Sequence, residues 1–409
     1  MVVLNAALTA CLGIFLSAAA TVPQLSPLAE VSLLTCAPGK ALYEAFGHNA
    51  LRIKDPDLGI DRTYNYGTFD FDQPNFYVNF AMGRQNYMLA TAPARYFIYS
   101  YVIDNRTVYE DVLNLSADEK QRIFELLEEN AKPENRYYRY DYLYDNCATR
   151  LRDILIKVLG EQLYLDTSYA IRPLTFRQLM DLYIDPFEIT EPRIPHPWGD
   201  LGIDLALGSE IDVPATAYQY MFLPDFVRLS FGKGRISRGD SIVPLVNRSS
   251  ILYKAVPEAQ EREFFSPLNV FSALFFFFLI LTIWERRSNR HVIAIDGVYF
   301  ALIGFLGLNI AFISFFTDHH AARNYNLLWA FPIHCIFPVL CLMPCAKKIL
   351  ANYYLFTALL SFIVLTGCFT FLPQQIHYAT YPLMLVCILR GINGFLYVKK
   401  STMRMYSMT

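Results

Sequence analysis

Two short segments of this 409-residue sequence carry side chains whose types and spacing suit covalent chemistry. The first holds His48, in the run Cys36-Ala-Pro-Gly-Lys-Ala-Leu-Tyr-Glu-Ala-Phe-Gly-His-Asn-Ala-Leu-Arg-Ile53. The second holds Cys147, in Tyr140-Asp-Tyr-Leu-Tyr-Asp-Asn-Cys-Ala-Thr-Arg150. After Cys147, apolar residues recur at Leu151, Ile154, Leu155, Val158 and Leu159, which is one face of a helix; Gly160 then stops it. Cys147 therefore falls in a first helical turn, where backbone N–H groups and the helix dipole favour a thiolate. The same N–H groups suit the oxyanion of a tetrahedral acyl intermediate. An imidazole beside the sulfur would serve as base and then as acid, and His48 is the candidate.

These two residues need scaffolding. The segment from Cys36 reads as a short helix, a glycine break and a strand opened by His48. Asp55-Pro-Asp-Leu-Gly59 is a turn signal, and residues 61–68 form the returning strand, a register that sets His48 roughly opposite Asn65 and Tyr66. Ser116-Ala-Asp-Glu119 is a capping box; it starts a helix to about Asn130 that buries Ile123, Phe124, Leu126 and Leu127. Plainer readings stand beside the chemical one. Cys36 and Cys147 are the two cysteines of this half, and a disulfide between them suits an oxidising compartment. His196, in Pro195-His-Pro-Trp-Gly199, reads as part of a rigid turn. The tyrosines from Tyr137 to Tyr144 suit either an acyl groove or a half-buried strand. No close His/Cys pair has zinc-ligand spacing, so no metal and no cofactor is expected.

The chain changes character along its length. Lys plus Arg number 35 and Asp plus Glu 37, so there is no basic excess for a nucleic-acid partner. Residues 1–22 are apolar and end in small residues, as a signal peptide does. Residues 30–255 mix polar and apolar positions as a soluble domain does. From residue 266 to 398 five apolar stretches follow, at 266–284, 292–316, 327–345, 349–372 and 378–398. Each is long enough to cross ~30 Å of hydrocarbon at ~1.5 Å per residue. Basic clusters, Arg286-Arg287 with Arg290, Lys347-Lys348, and the 399–409 tail, follow the first, third and fifth stretches and mark the cytoplasmic side. The soluble domain then lies outside the inner membrane. Asp296 and Arg390 are the ionisable residues within the stretches, either functional or a buried pair that fixes packing. Cys335, Cys341, Cys345, Cys368 and Cys387 read as small packing residues.

Several of these segments together resemble a known family. Phe-Gly-His48-Asn-Ala-Leu-Arg, Tyr64-Asn-Tyr-Gly-Thr-Phe-Asp-Phe71, Asn146-Cys147-Ala-Thr-Arg150 with Asp153, His196-Pro-Trp-Gly-Asp-Leu-Gly-Ile-Asp-Leu-Ala-Leu-Gly208 and Asn324-Tyr-Asn-Leu-Leu-Trp329 resemble the Lnb family of lipoprotein N-acyltransferases of Bacteroidota. The His-then-Cys order is also similar to circularly permuted papain-like folds of the NlpC/P60 and lecithin:retinol acyltransferase kind. The resemblance implies an α+β periplasmic domain of permuted papain-like fold, followed by an all-α membrane domain of five helices. It implies Cys147 as nucleophile, His48 as its base, and a third polar residue after the histidine: Asn65, with Tyr66 and Asp70 as substitutes. Asn146, Arg150, Tyr66 and Asp70 are expected near the substrates. His319, His320, Asn324, Asn326 and Trp329 are expected to shape a lipid mouth or, more plainly, to anchor the chain at the interface. The implied reaction moves an acyl chain from a membrane phospholipid, through a Cys147 thioester, to the α-amino group of a diacylglyceryl-cysteine lipoprotein. Two other readings remain at this point: a cell-wall peptidase or amidase, and a non-enzymatic membrane sensor with a Cys36–Cys147 disulfide.

Overall fold

A computed structural model describes residues 22–70, 72–186, 194–257, 264–343 and 347–406. The signal-peptide expectation falls on residues 1–21, outside those described, as do Phe71, Cys345 and residues 407–409 of the tail. Among the described residues ten strands form the β framework: β1 Glu30–Cys36, β2 His48–Asp55, β3 Ile60–Thr68, β4 Asn86–Pro93, β5 Val108–Leu113, β6 Tyr137–Arg139, β7 Leu163–Tyr164, β8 Arg235–Arg238, β9 Ser241–Pro244 and β10 Val246–Tyr253. Seven make one antiparallel sheet in the order β10-β5-β1-β2-β3-β4-β6, and β7, β8 and β9 make a small second sheet. The 30–255 segment is thus an α+β unit.

Alternation along the strands decides what each face covers, because successive side chains point to opposite sides. Val31 and Leu33 of β1, Leu51 and Ile53 of β2, and Tyr64 and Tyr66 of β3 share one face. There they pack on the helices Ala117–Ala131 and Cys147–Leu159, through Ile123, Phe124, Leu127, Leu151 and Leu155. The other face, with Leu34, Cys36 and Ala50, is covered by Phe97 of the helix Ala94–Ile103. Ser116 caps the first of these helices as its sequence requires: its side chain accepts from the Glu119 amide, and the Glu119 carboxylate accepts from the Ser116 amide. Leu155 is fully buried in this core, so truncating it to Ala would cost about 2–5 kcal/mol.

The hairpin register differs from the sequence expectation. Leu51 pairs with Tyr64, and continuing that antiparallel ladder sets His48 across from Gly67 rather than from Asn65 or Tyr66. Asn65 reaches the histidine diagonally. The β3–β4 ladder shifts register between Asn65 and Thr68. Gly67 has φ +82° and lies beside Cys147; a side chain there would need a left-handed backbone and would meet the Cys147 Cβ at 3.6 Å.

In the C-terminal half, four helices among the described residues are long and apolar enough to cross a membrane: Pro267–Ser288, Ile293–Phe316, Lys347–Gly367 and Tyr378–Ser401. The last continues to Tyr406, so most of the expected tail is helical. The expected third span, 327–345, is not one helix. Its described part consists of the short helix Asn326–Trp329, a 3-10 helix Pro332–Ile336 and the short helix Phe337–Cys341. Pro332 and Pro338 each lack the backbone N–H that a continuous helix needs. Asp296 and Arg390 form a buried ion pair, with Nε to Oδ1 at 2.6 Å. Arg390 also donates to both carboxylate oxygens of Glu285 and to the Thr282 hydroxyl. A charge this deep is tolerable because each guanidinium nitrogen has an acceptor and two carboxylates balance it.

The two halves are joined by polar contacts. Asn324 donates to the carbonyl of Leu205, and Gln374 to that of Leu207. The Gly208 amide donates to the His320 carbonyl. At Gly208 the chains approach so closely that a Cβ would sit 1.8 Å from the Ala322 oxygen, leaving no room for any side chain. Fully buried Arg177 holds this turn from within, donating to Asp204, Asp212 and the carbonyls of Leu207 and Gly208.

Candidate active site

Asn146 sets the position of Cys147. Its extended backbone starts the helix Cys147–Leu159, and its Oδ1 accepts from the amides of Ala148 at 2.8 Å and Thr149 at 3.0 Å. Its Nδ2 donates to the carbonyls of Tyr142 and Phe222. The whole side chain is therefore spent on the helix cap and on the approach to it. Asn146, expected near the substrates, is thus placed in the buried cap of this helix.

His48 arrives from the start of β2 and hydrogen-bonds the Cys147 thiol. On its other side the ring donates from Nε2 to Asn65 Oδ1 at 2.5 Å, which leaves Nδ1 as the nitrogen for the sulfur. Burial alone would push the Cys147 thiol up. The His48 charge and hydrogen bond, with the backbone N–H groups of Asn49 and Ala148, outweigh burial and hold the thiol below its ordinary range. Burial also works against a charged His48, but Cys147 and Asn65 keep its affinity for a proton above the usual imidazole value. The two shifts favour a thiolate–imidazolium pair, the reactive form of a cysteine nucleophile.

Cys36 is not the partner of that sulfur, for both thiols are free. Burial pushes the Cys36 thiol up to about 12, with Arg106 pulling the other way. The disulfide alternative is thereby replaced by two thiols of opposite character.

Other expected site residues are placed differently. Tyr66 is buried and its hydroxyl accepts from Asn130 Nδ2. Asp70 accepts from the Tyr137 hydroxyl. Neither touches His48. Arg150 makes a paired contact with Asp145, at 2.5 and 2.6 Å, and stacks on the Tyr138 ring at 3.9 Å. His320 reaches the α+β half, with Nε2 2.9 Å from Asp141, shortly before Cys147 in the chain. Asn324, Asn326 and Trp329 are buried in the joint between the halves. Asn326 donates to the Asp204 carbonyl and accepts from the Trp329 indole N–H. Their polar atoms are hydrogen-bonded within that joint.

Sequence reasoning missed the amide of Asn49 and the placement of Gly67. A lone glycine in an alternating strand signals a close approach and would have pointed to the latter. It also missed Asp200, Asp204 and His377, whose ligand atoms lie within 4.8 Å of one another. That donor set suits a divalent cation by residue type, but its chemistry does not fit. His377 Nδ1 accepts from the Ala379 amide at 3.1 Å, so the neutral ring carries its proton on Nε2, 2.9 Å from Asp200. A ligating histidine needs the reverse, a lone pair toward the metal and its N–H outward.

Comparison with known proteins gives two matches. Residues 24–181 match the family model described as the Lnb N-terminal periplasmic domain, and residues 259–402 match that of the Lnb transmembrane domain. No curated protein and no solved structure matches the chain.

Proposed function

From the chain's membership of the Lnb family, which its two matched domains establish, we propose that it is a lipoprotein N-acyltransferase working through a Cys147 thioester. The observation that carries this reading is the Cys147–His48–Asn65 relay at a helix N-terminus, in a domain docked on apolar helices. The Cys147 thiolate attacks an ester carbonyl of a phospholipid. A C–S bond forms, the ester C–O bond breaks, and the imidazolium of His48 gives its proton to the departing oxygen of the lysophospholipid. In the second half-reaction the free α-amino group of a diacylglyceryl-cysteine lipoprotein attacks the thioester. A C–N bond forms, the amine proton passes to His48, and the thiolate leaves. The amides of Asn49 and Ala148, which already favour negative charge on the sulfur, are the nearest dipoles for the oxyanion of either step. Asn65 acts as a positioning residue, holding the ring so that Nδ1 meets the sulfur.

The proposed location is the inner membrane, with the α+β domain in the periplasm and the C-terminus in the cytoplasm. Loops 317–325 and 373–378 both contact the soluble half through Asp318, His320, Gln374, Gln375 and His377. On this reading the chain between them leaves that side and returns. With Lys347–Gly367 as the return, the broken segment Asn326–Leu342 is the outward leg and a fifth crossing. Lys347 and Lys348 then share the far side with Arg286 and Arg287, as the positive-inside rule asks.

The test is Cys147→Ala in cells, with mass spectrometry of lipoprotein N-termini. Loss of the N-acyl chain at normal abundance of the variant supports the reading. Unchanged N-acylation in a strain with no second copy overturns it. An acyl mass on the Cys147 peptide after incubation with phospholipid separates it from the amidase alternative, in which muropeptides would be cleaved instead.

A further inference from the structure

The six-residue helix Phe76–Ala81 turns apolar side chains outward. Phe76 is buried, whereas Tyr77 is 80% exposed, Val78 62% and Phe80 49%. Isolated exposed apolar residues are ordinary, but a cluster on one short helix is not. The chain just after this helix is fixed to the membrane half. The Asp318 amide donates to the Met82 carbonyl at 2.9 Å, and the Asp318 carboxylate takes Arg84 at 3.0 Å and Arg139 at 2.7 Å. Asp318 lies two residues past the helix Ile293–Phe316, whose last turn exposes Phe315 and Phe316. The apolar face thus hangs beside the outer end of a membrane helix. Two arginines there share one carboxylate, an excess of positive charge that suits anionic lipid headgroups.

Inward from the same helix runs a continuous column of rings. Phe76 meets Phe69 with centroids 6.3 Å apart, Phe69 meets Tyr87 at 4.5 Å, and Tyr87 stacks on Tyr140 at 3.9 Å. Tyr140 and Cys147 then flank Gly67: a Cβ placed on that glycine would stand 3.7 Å from the Tyr140 ring and 3.6 Å from the Cys147 Cβ. The column therefore connects the exposed helix to the nucleophile.

We propose that the helix Phe76–Ala81 beds its Tyr77, Val78 and Phe80 face in the phospholipid leaflet around the end of Ile293–Phe316. The ring column Phe76, Phe69, Tyr87 and Tyr140 guides an acyl chain from there to Cys147. The second part rests on the acyltransferase reading. The first is a statement about a lipid surface alone, in the manner of interfacial amphipathic helices.

The test uses the full chain in phosphatidylethanolamine/phosphatidylglycerol vesicles. Acyl mass on Cys147 is followed with the vesicle lipid as donor and, separately, with a water-soluble butyryl thioester. Because bedding acts by positioning, Tyr77→Ser/Phe80→Ser should lower acylation from vesicle lipid by about tenfold or more and leave the soluble donor unchanged. Equal rates from vesicle lipid overturn the proposal, and so does a parallel fall with both donors, which signals a damaged thiol. Tyr77→Trp in vesicles of brominated phospholipid supplies a readout free of catalysis. Quenching beyond that of the wild-type chain supports bedding, and quenching no greater than wild type overturns it. A wild-type chain that takes acyl groups from neither donor would sink the acyltransferase reading, and the bedding would then be judged by Tyr77→Trp alone.

Discussion

Cys36 stands directly across from His48 in the β1–β2 ladder, yet the sulfur that meets the imidazole is Cys147, from a helix ninety-nine residues further along. Burial keeps the Cys36 thiol protonated, while His48 and two amides favour the thiolate of Cys147. At neutral pH an alkylating reagent should therefore modify the Cys147 peptide and spare the Cys36 peptide. Cys36→Ser should keep acyl transfer within about threefold of wild type, because a packing thiol contributes little beyond its volume. Modification of both peptides at similar rates would contradict the assignment.

The pH dependence follows from the two shifts. Cys147 loses its proton below the ordinary thiol range, so alkylation should rise at a lower pH than for a free cysteine. His48 keeps its proton above the ordinary imidazole range, so acyl transfer should fall only when that raised value is passed. His48→Ala should move the alkylation rise to higher pH and slow turnover by about 10²- to 10⁴-fold. Asn65→Ala removes a bond that favours the protonated ring, so the alkaline fall should begin at lower pH. Stopped-flow alkylation and a pH–rate series read these outcomes.

At the joint, burial among Asp200 and Asp204 pushes the Asp181 carboxyl up to about 9. A carboxyl with a raised folded value binds more protons when folded than unfolded, so stability falls as pH rises from the ordinary value to the folded one. Asp181→Asn escapes that loss. Its thermal midpoint should match wild type near pH 4 and exceed it by a few degrees at pH 8, the gain growing up to about pH 9. A constant difference across that range would reject the cause.

In the membrane half, Arg390→Ala leaves Asp296 and Glu285 buried without their cation. Removing one partner of such a group costs about 3–5 kcal/mol. The variant should show reduced folded protein in detergent, with an unchanged acyl-transfer rate per folded molecule. A normal midpoint with lost activity would instead make the arginine part of the chemistry.

Asn324→Ala strips the carbonyls of Leu205 and Ala206 of a donor, a loss of about 1–3 kcal/mol for buried groups. The expected result is a lower midpoint with the donor-lipid KM unchanged. A raised KM at an unchanged midpoint would return Asn324 to the lipid site.

The local elements around the chemistry were legible because they are set by short-range rules. Apolar spacing after Cys147 and the Ser116 capping box each specify a helix within one or two turns, and the Asp55–Gly59 turn specifies the hairpin. Its register was not legible: the shift between Asn65 and Thr68 depends on pairing with β4, which no local pattern encodes. The third apolar stretch is not one helix, and apolar composition alone does not register the Pro332 and Pro338 that interrupt it. The placement of Asn324, Asn326 and Trp329 was hidden for a different reason. Polar residues near a membrane surface look alike in sequence whether they meet lipid or the neighbouring domain, and the carbonyls of Asp204 and Leu205 that Asn326 and Asn324 meet lie more than a hundred residues away in the chain.

The pair of loops that grips the α+β half has a mechanical consequence. Fastened at separate points, the α+β half holds Cys147 in one position relative to the apolar helices. On the acyltransferase proposal, diffusing lipids would come to it in turn, donor first and acceptor second. Under the acyltransferase reading, traffic in the membrane plane rather than hinge motion of the protein then sets the pace, and stiffer bilayers should slow both half-reactions together.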